Sequence, residues 1–164
     1  MRRIGAVIVG AMISLCVGAA VAAEKDVERI PSCQYCGMDR EKFGSTRMLI
    51  EYENGSTIGT CSIHCAAIDL AQSFGKAIKA IRAADYRTGR LVEAEKATWV
   101  IGAGLPGVMA AKSRLAFSAK ADAEAFIKEK GGEIADFDAA ITSTYCDMWT
   151  DTQGIRARRT KAGR

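Results

Sequence analysis

Met48, Ile50 and Tyr52 alternate along the chain with Leu49, Glu51 and Glu53, and the dipeptide Asn54-Gly55 follows directly. Such alternation is typical of a strand with one buried face. Asn-Gly is the most favoured pair for a two-residue hairpin turn, because both positions tolerate a positive φ. A second strand over residues 56–61 would complete the pair. The pattern therefore predicts a β-hairpin whose second strand ends at a cysteine.

A helical pattern begins just after this hairpin, with Ser62 as a suitable N-cap. Apolar residues then recur at steps of three and four, at Ile63, Ala67, Leu70, Phe74, Ile78 and Ile81. The spacing predicts a helix over residues 62–81, with His64 and Cys65 in its first turn. Gly75 marks where this helix would bend or end early, because glycine costs about 1 kcal/mol relative to alanine inside a helix.

The second half of the chain repeats the same order of elements. After a strand over residues 90–94, further strands are predicted over 97–103, 109–117 and 133–137, with helices over 121–130 and 138–149. Strand, strand, helix, strand thus occurs twice, and each unit is too small to hold a core alone. The expected fold class is α+β, with two small ββαβ units packed together. The first is expected over residues 24–95 and the second over residues 96–150.

Both ends of the chain are predicted to lie outside this fold. Residues 1–23 combine an Arg2-Arg3 start, a long apolar run and a small-residue site at Ala20-Val21-Ala22, which is the layout of a secretory signal peptide. The apolar run is also long enough for an uncleaved membrane anchor. Residues 151–164 are rich in arginine and lysine and are predicted to form a disordered basic tail. The expected fate of the chain is export into an oxidising compartment.

Charge and motif content exclude several classes of function. The net charge of +4 falls to about +2 when Arg2 and Arg3 leave with the signal, which argues against nucleic acid as a partner. No Ser-His-Asp arrangement, phosphate-binding loop or catalytic carboxylate pair is recognisable. His64 is the single histidine. The chain is therefore not expected to be an enzyme.

Soft metal ligands are concentrated between residues 33 and 65, in the motifs C-Q-Y-C-G-M and C-S-I-H-C. A two-residue separation lets both sulfurs of the first pair converge on one ion, and residues three or four apart share one face of a helical turn. Cysteines at a helix start are also expected to have depressed pKa values. The candidate ligands in this stretch are Cys33, Cys36, Met38, Cys61, His64 and Cys65.

Three interpretations of these cysteines remain open on spacing alone. Export would leave five cysteines in an oxidising compartment, and an odd number leaves at least one free, metal-bound or paired between chains. The cysteines, with or without His64, could hold a structural zinc, or they could form disulfides. Alternatively, thiolates with a thioether from Met38 or Met109 could bind Cu(I), an ion that soft sulfur selects. The neighbouring methionine favours Cu(I).

Further motifs follow the cysteines in a recognisable order. They are Val92-Glu93-Ala94, the A-T-W-V-I-G strand from Ala97, the L-P-G-V-M loop to Met109, Leu115-Ala116-Phe117, Asp122-Ala123-Glu124-Ala125, Gly131-Gly132 and Phe137. Together with C-Q-Y-C-G-M and Cys61-Ser62, this series resembles the nitrous oxide reductase accessory protein family, NosL. The resemblance covers most of the chain after the signal, and several motifs in order are far more specific than any one of them.

The resemblance implies a periplasmic Cu(I)-binding copper chaperone of denitrification, which delivers copper by ligand exchange to an apo copper enzyme such as nitrous oxide reductase. It also implies a fold of two similar ββαβ units and a methionine ligand that Met109 matches. The chain departs from the family pattern in two respects. Leu15 precedes Cys16, so the usual lipidation box is absent, and His64 and Cys65 are additional to the usual cysteine-serine step.

Other functions and assemblies stay open beside the chaperone. A zinc-stabilised interaction module would use the same ligands, and a thiol-disulfide exchange protein would use Cys33 and Cys36. Membrane association through an uncleaved N-terminus and a homodimer that shares copper are further arrangements compatible with the sequence.

Overall fold

The structure is a computed structural model that describes residues 26–163. The predicted signal peptide or anchor over residues 1–23 lies outside the described residues, as does Arg164 at the end of the predicted tail. The strands are β1 (Met48–Tyr52), β2 (Thr57–Thr60), β3 (Ile78–Ala84), β4 (Leu91–Glu93), β5 (Thr98–Pro106), β6 (Lys112–Phe117) and β7 (Glu133–Ala135). The longer helices are α1 (Ile63–Gln72), α2 (Lys120–Lys130) and α3 (Phe137–Ala162). No helix in the described part is both long and apolar enough to span a membrane.

The predicted hairpin is present as β1 and β2, which pair antiparallel with Met48 opposite Thr60. Its loop is longer than the expected two-residue turn. Tyr52 N donates to Ser56 O at 2.9 Å, and Gly55 N donates to Tyr52 O at 2.9 Å. Gly55 is in the left-handed region with a φ of 83°, which is why glycine suits this position.

The prediction of a helix as far as residue 81 is wrong. Helix α1 ends at Gln72, and the chain then returns as strand β3, which pairs with the free edge of β1 so that Ile81 lies opposite Ile50. The first sheet therefore has the strand order β2-β1-β3-β4. Two causes favour the strand over the helix. Pairing with β1 gives the backbone N–H and C=O groups of β3 their hydrogen-bond partners. Gly75, just before the strand, would also destabilise a helix that continued through it.

The second half forms a three-stranded sheet with the order β6-β5-β7. Strand β5 extends to Pro106, beyond the predicted end at residue 103, and β6 starts only at Lys112. Met109, which was predicted to open a strand, lies instead in the connecting loop with a φ of 61°. The expected α+β class with two packed ββαβ units is confirmed, with β4 as an additional strand; the unit boundaries at residues 95 and 150 stay predictions.

Helix α3 contradicts the predicted disordered tail over residues 151–162, because it continues without a break from Phe137 to Ala162. Arginine, lysine, alanine and glutamine all have high helix propensity, so a solvent-exposed basic segment can still be helical. Thr152 and Thr160 donate their hydroxyls to the carbonyls four residues earlier, at 2.8 and 3.0 Å. A high basic content therefore indicated exposure correctly but not disorder.

The largest hydrophobic core cluster of the described residues joins the two sheets. Met48, Ile50 and Tyr52 of β1 share it with Trp99 of β5 and Phe137 of α3. Buried Asp85 fastens the sheets at another point, where its carboxylate accepts from Ser118 N at 2.6 Å and Ser118 Oγ at 2.7 Å. The two units are thus packed against each other, and the cysteine-rich segments lie in a separate smaller cluster.

Candidate metal centre

Four cysteine sulfurs converge in one place. They are supplied by Cys33 and Cys36 in the loop before β1, by Cys61 just after β2, and by Cys65 in the first turn of α1, and all lie within 4.8 Å of one another. Cys36 Sγ is 3.4 Å from Cys61 Sγ, and Cys61 Sγ is 3.9 Å from Cys65 Sγ. A tetrahedral ion with 2.3 Å bonds to sulfur holds its ligands about 3.8 Å apart. The group could therefore hold one soft metal ion.

Backbone hydrogen bonds fix the loop that carries the first two cysteines. Cys33 N donates to Met38 O at 2.8 Å, and Gly37 N donates to Cys33 O at 2.9 Å. Gly37 has a φ of 74°, which lets the chain reverse directly after Cys36. Gln34 N donates to Gly59 O at 3.2 Å, so this loop is attached to strand β2 near Cys61.

The four cysteines differ in exposure. Cys33, Cys61 and Cys65 are buried, whereas Cys36 is partly exposed. Cys146, the remaining described cysteine, is exposed on α3 and does not belong to the group. An ion held by the four sulfurs would therefore be approached from solvent on the side of Cys36.

The thiols of the group differ in their pKa values. The hydrogen bond with Cys65 lowers the pKa of Cys61 to about 5 against the opposing effect of burial, and the contacts with Cys36 and Ser62 act in the same direction. Burial raises the pKa of Cys36 to about 11. The pKa of Cys65 is raised, first by its hydrogen bond with Cys61 and then by burial, so the expected depression at the helix start is wrong for Cys65. Cys61 therefore ionises at a lower pH than Cys36 and Cys65.

The other predicted ligands occupy different positions. Met38 is half-buried and packs against the cysteine cluster together with Tyr35, Phe43 and Val108. Met109 follows Val108 in the chain and is 44% exposed, so it is not a core methionine. Ser62 Oγ donates to Val108 O at 3.2 Å, which holds this loop beside the cluster.

His64 is not in the group of residues that could share one ion, among those the structure describes. It is half-buried, and burial lowers its pKa. It lines a small cavity of about 20 Å³ together with Ser62, Arg114 and the loop before β6. The structure thus brings the four cysteines together and leaves His64 beside them.

Two buried polar groups near the centre were not predicted from the sequence. Arg40 is fully buried behind the end of β2, where it donates to Thr60 O at 3.2 Å and pairs with Asp26 at 2.8 Å. Asp69 is buried on α1 and accepts hydrogen bonds from the hydroxyls of Tyr35 and Tyr52. Charged residues are normally solvated, so no pattern in the sequence indicated either group.

Comparison with known proteins agrees with these features. The family model for NosL matches residues 24–146 of this chain. The fold is similar to the crystal structure of the copper chaperone NosL from Shewanella denitrificans, with a TM-score of 0.53 and 23% sequence identity over 65% of this chain and 87% of that chain. At this identity the likeness concerns the fold. No functionally curated protein matches the chain.

Proposed function

We propose that this chain, which belongs to the NosL family, is a periplasmic chaperone that binds Cu(I) and delivers it to an apo copper enzyme such as nitrous oxide reductase. The observation that carries the proposal is the group of four cysteine sulfurs within 4.8 Å of one another. Thiolates select Cu(I) over harder ions. The proposed role is transfer of a metal ion rather than catalysis.

The unequal exposure of the cysteines suits transfer by ligand exchange. Buried Cys61 has a pKa of about 5 and supplies a thiolate at neutral pH. Partly exposed Cys36 is the sulfur that a ligand of the recipient enzyme could replace first. A Cu(I) ion bound by only two or three of these four sulfurs, with partly exposed Cys36 among them, can leave through a series of exchanged bonds. A closed tetrahedral site releases its ion less readily.

Zinc is the second candidate, because four cysteines at tetrahedral separations also suit a structural zinc ion. The chain would then be a zinc-stabilised interaction module. Thiol-disulfide exchange through Cys33 and Cys36 is less well supported. An attacking thiol should be accessible and readily ionised, whereas Cys33 is buried and the pKa of Cys36 is raised to about 11.

Anaerobic Cu(I) titration of the mature protein tests the proposal. We expect about one Cu(I) to be retained per chain against a chromophoric Cu(I) chelator, because the four sulfurs form a single group. Elemental analysis of the purified protein checks which metal is bound. If the purified protein contained only zinc and retained no Cu(I), the chaperone proposal would be rejected in favour of the zinc-stabilised interaction module. Catalysed reduction of insulin would instead favour the thiol-disulfide exchange protein.

Replacing Met109 by leucine should weaken Cu(I) binding by roughly tenfold or more, because losing a ligand should cost at least as much as altering one of a metal's outer partners. Met109 is 44% exposed and lies next to Val108, which packs on the cluster. Leucine has the same backbone restrictions as methionine at a φ of 61°, so the substitution changes the thioether without adding backbone strain. Competition titration and thermal melting measure the two effects. Unchanged affinity would mean that Met109 is not a ligand.

A further inference from the structure

A buried carboxyl group connects the cysteine loop to the helix that carries Cys65. Asp69 lies on α1, one turn after Cys65, and is 2% exposed. The hydroxyl of Tyr35 donates to Asp69 Oδ1 at 2.6 Å, and the hydroxyl of Tyr52 donates to Asp69 Oδ2 at 2.5 Å. Tyr35 is between Cys33 and Cys36 in the chain, whereas Tyr52 is at the end of strand β1 in the main core.

The hydrogen bond from Tyr35 joins this loop to a carboxylate oxygen of α1. It acts beside the thiol contacts of Cys36 with Cys61 and of Cys33 with Cys65. The bonds from Cys33 N to Met38 O and from Gln34 N to Gly59 O hold only the base of the loop. The tip, with Tyr35 and Cys36, is therefore held beside α1 by the bond to Asp69 and by the contact of Cys36 Sγ with Cys61 Sγ at 3.4 Å.

We infer that Tyr35 and Asp69 are positioning residues of the metal centre, which hold the Cys33 and Cys36 sulfurs against those of Cys61 and Cys65. Asp69 and Cys65 are four residues apart and share one face of α1, so a loop that is bonded to Asp69 is also placed against Cys65. Tyr52 has a different role, because it holds the carboxyl group from the core side. This inference rests on the proposed function for its consequence, the control of Cu(I) release.

Two matched substitutions separate positioning from ordinary stability. Y35F and Y52F each remove one hydroxyl donor from the same carboxyl group and keep the aromatic ring. If Tyr35 positions the loop, Y35F should release Cu(I) to a chromophoric chelator about tenfold faster than the wild type, the factor that one hydrogen bond to a charged acceptor can supply. Y52F should lower the melting temperature by at least as much as Y35F but leave the release rate within about twofold of the wild type.

The same variants give a readout that needs no metal. In the reduced metal-free protein, we expect Y35F to speed the reaction of the clustered thiols with an aromatic disulfide reagent, because the loop opens more often, while Y52F reacts like the wild type. Equal release rates and equal thiol reactivity in Y35F and Y52F would overturn the inference and leave the bond with a structural role only. A wild-type protein that retains no Cu(I), with faster thiol reaction in Y35F alone, would instead reject the proposed function and uphold the positioning role.

Discussion

Replacing Cys61 by serine is expected to abolish stoichiometric Cu(I) retention, with a loss of affinity above roughly 100-fold, the upper end of what changes to outer-shell partners cause. Cys61 is central to the sulfur group, at 3.4 Å from Cys36 and 3.9 Å from Cys65. It is also the thiol whose pKa is lowered, to about 5. A serine hydroxyl is not ionised at neutral pH and is a hard oxygen ligand, so it offers Cu(I) no equivalent bond.

Anaerobic competition with a chromophoric Cu(I) chelator measures this loss, and Cys146→Ser is its matched control. Cys146 is exposed on α3 and outside the sulfur group, so its replacement should leave the affinity unchanged. Serine and cysteine are similar in size, and circular dichroism of both metal-free variants should match that of the wild type. Retention of full affinity by Cys61→Ser would show that the copper site lies elsewhere in the chain.

Local sequence patterns were sufficient to predict the hairpin and the convergence of the cysteines. The spacing in C-Q-Y-C fixes a tight loop, and the hairpin brings Cys61 back beside it. The pattern could not decide the fate of residues 73–84. Ile78 and Ile81 fit a helical step of three, but the edge of β1 offered a strand partner, and this long-range pairing determined the structure.

Tertiary contacts explain the remaining differences at the site. Met109 belongs to a motif that looked like the start of a strand, yet β6 begins only at Lys112 and Met109 lies exposed in the loop before it. Asp69 and Arg40 are charged residues, which a sequence analysis assigns to solvent by default. Their burial follows from partners far away in the chain, such as Tyr35 for Asp69 and Asp26 for Arg40. Local sequence patterns cannot predict pairs of residues that are this far apart in the chain.

Replacing Arg40 by alanine should lower the free energy of unfolding by about 1–3 kcal/mol, the usual cost of leaving a buried hydrogen-bond acceptor unpaired, because Asp26 keeps a second buried arginine partner. The Arg40 guanidinium is 0% exposed and pairs with Asp26 at 2.8 Å. It also donates to the carbonyl oxygens of Ile30 at 2.6 Å, Met48 at 3.1 Å and Thr60 at 3.2 Å. Alanine would leave these buried acceptors without this donor, and each loss adds to the cost. Urea unfolding of the metal-free protein measures the change.

An exposed ion pair on the first sheet, whose strands β1 and β2 accept hydrogen bonds from Arg40, provides the control for this prediction. Arg82 pairs with Glu51 at 3.2 Å, but its side chain is 43% exposed, so Arg82→Ala should cost only about 0–1 kcal/mol. Arg40→Lys should fall between the two, because lysine keeps the charge but cannot direct a planar fork at several acceptors. Equal losses in Arg40→Ala and Arg82→Ala would mean that burial does not set the strength of the Arg40 contacts. A large loss confined to Arg40 would show that this guanidinium stabilises the end of β2. The last residue of β2 is Thr60, which directly precedes Cys61.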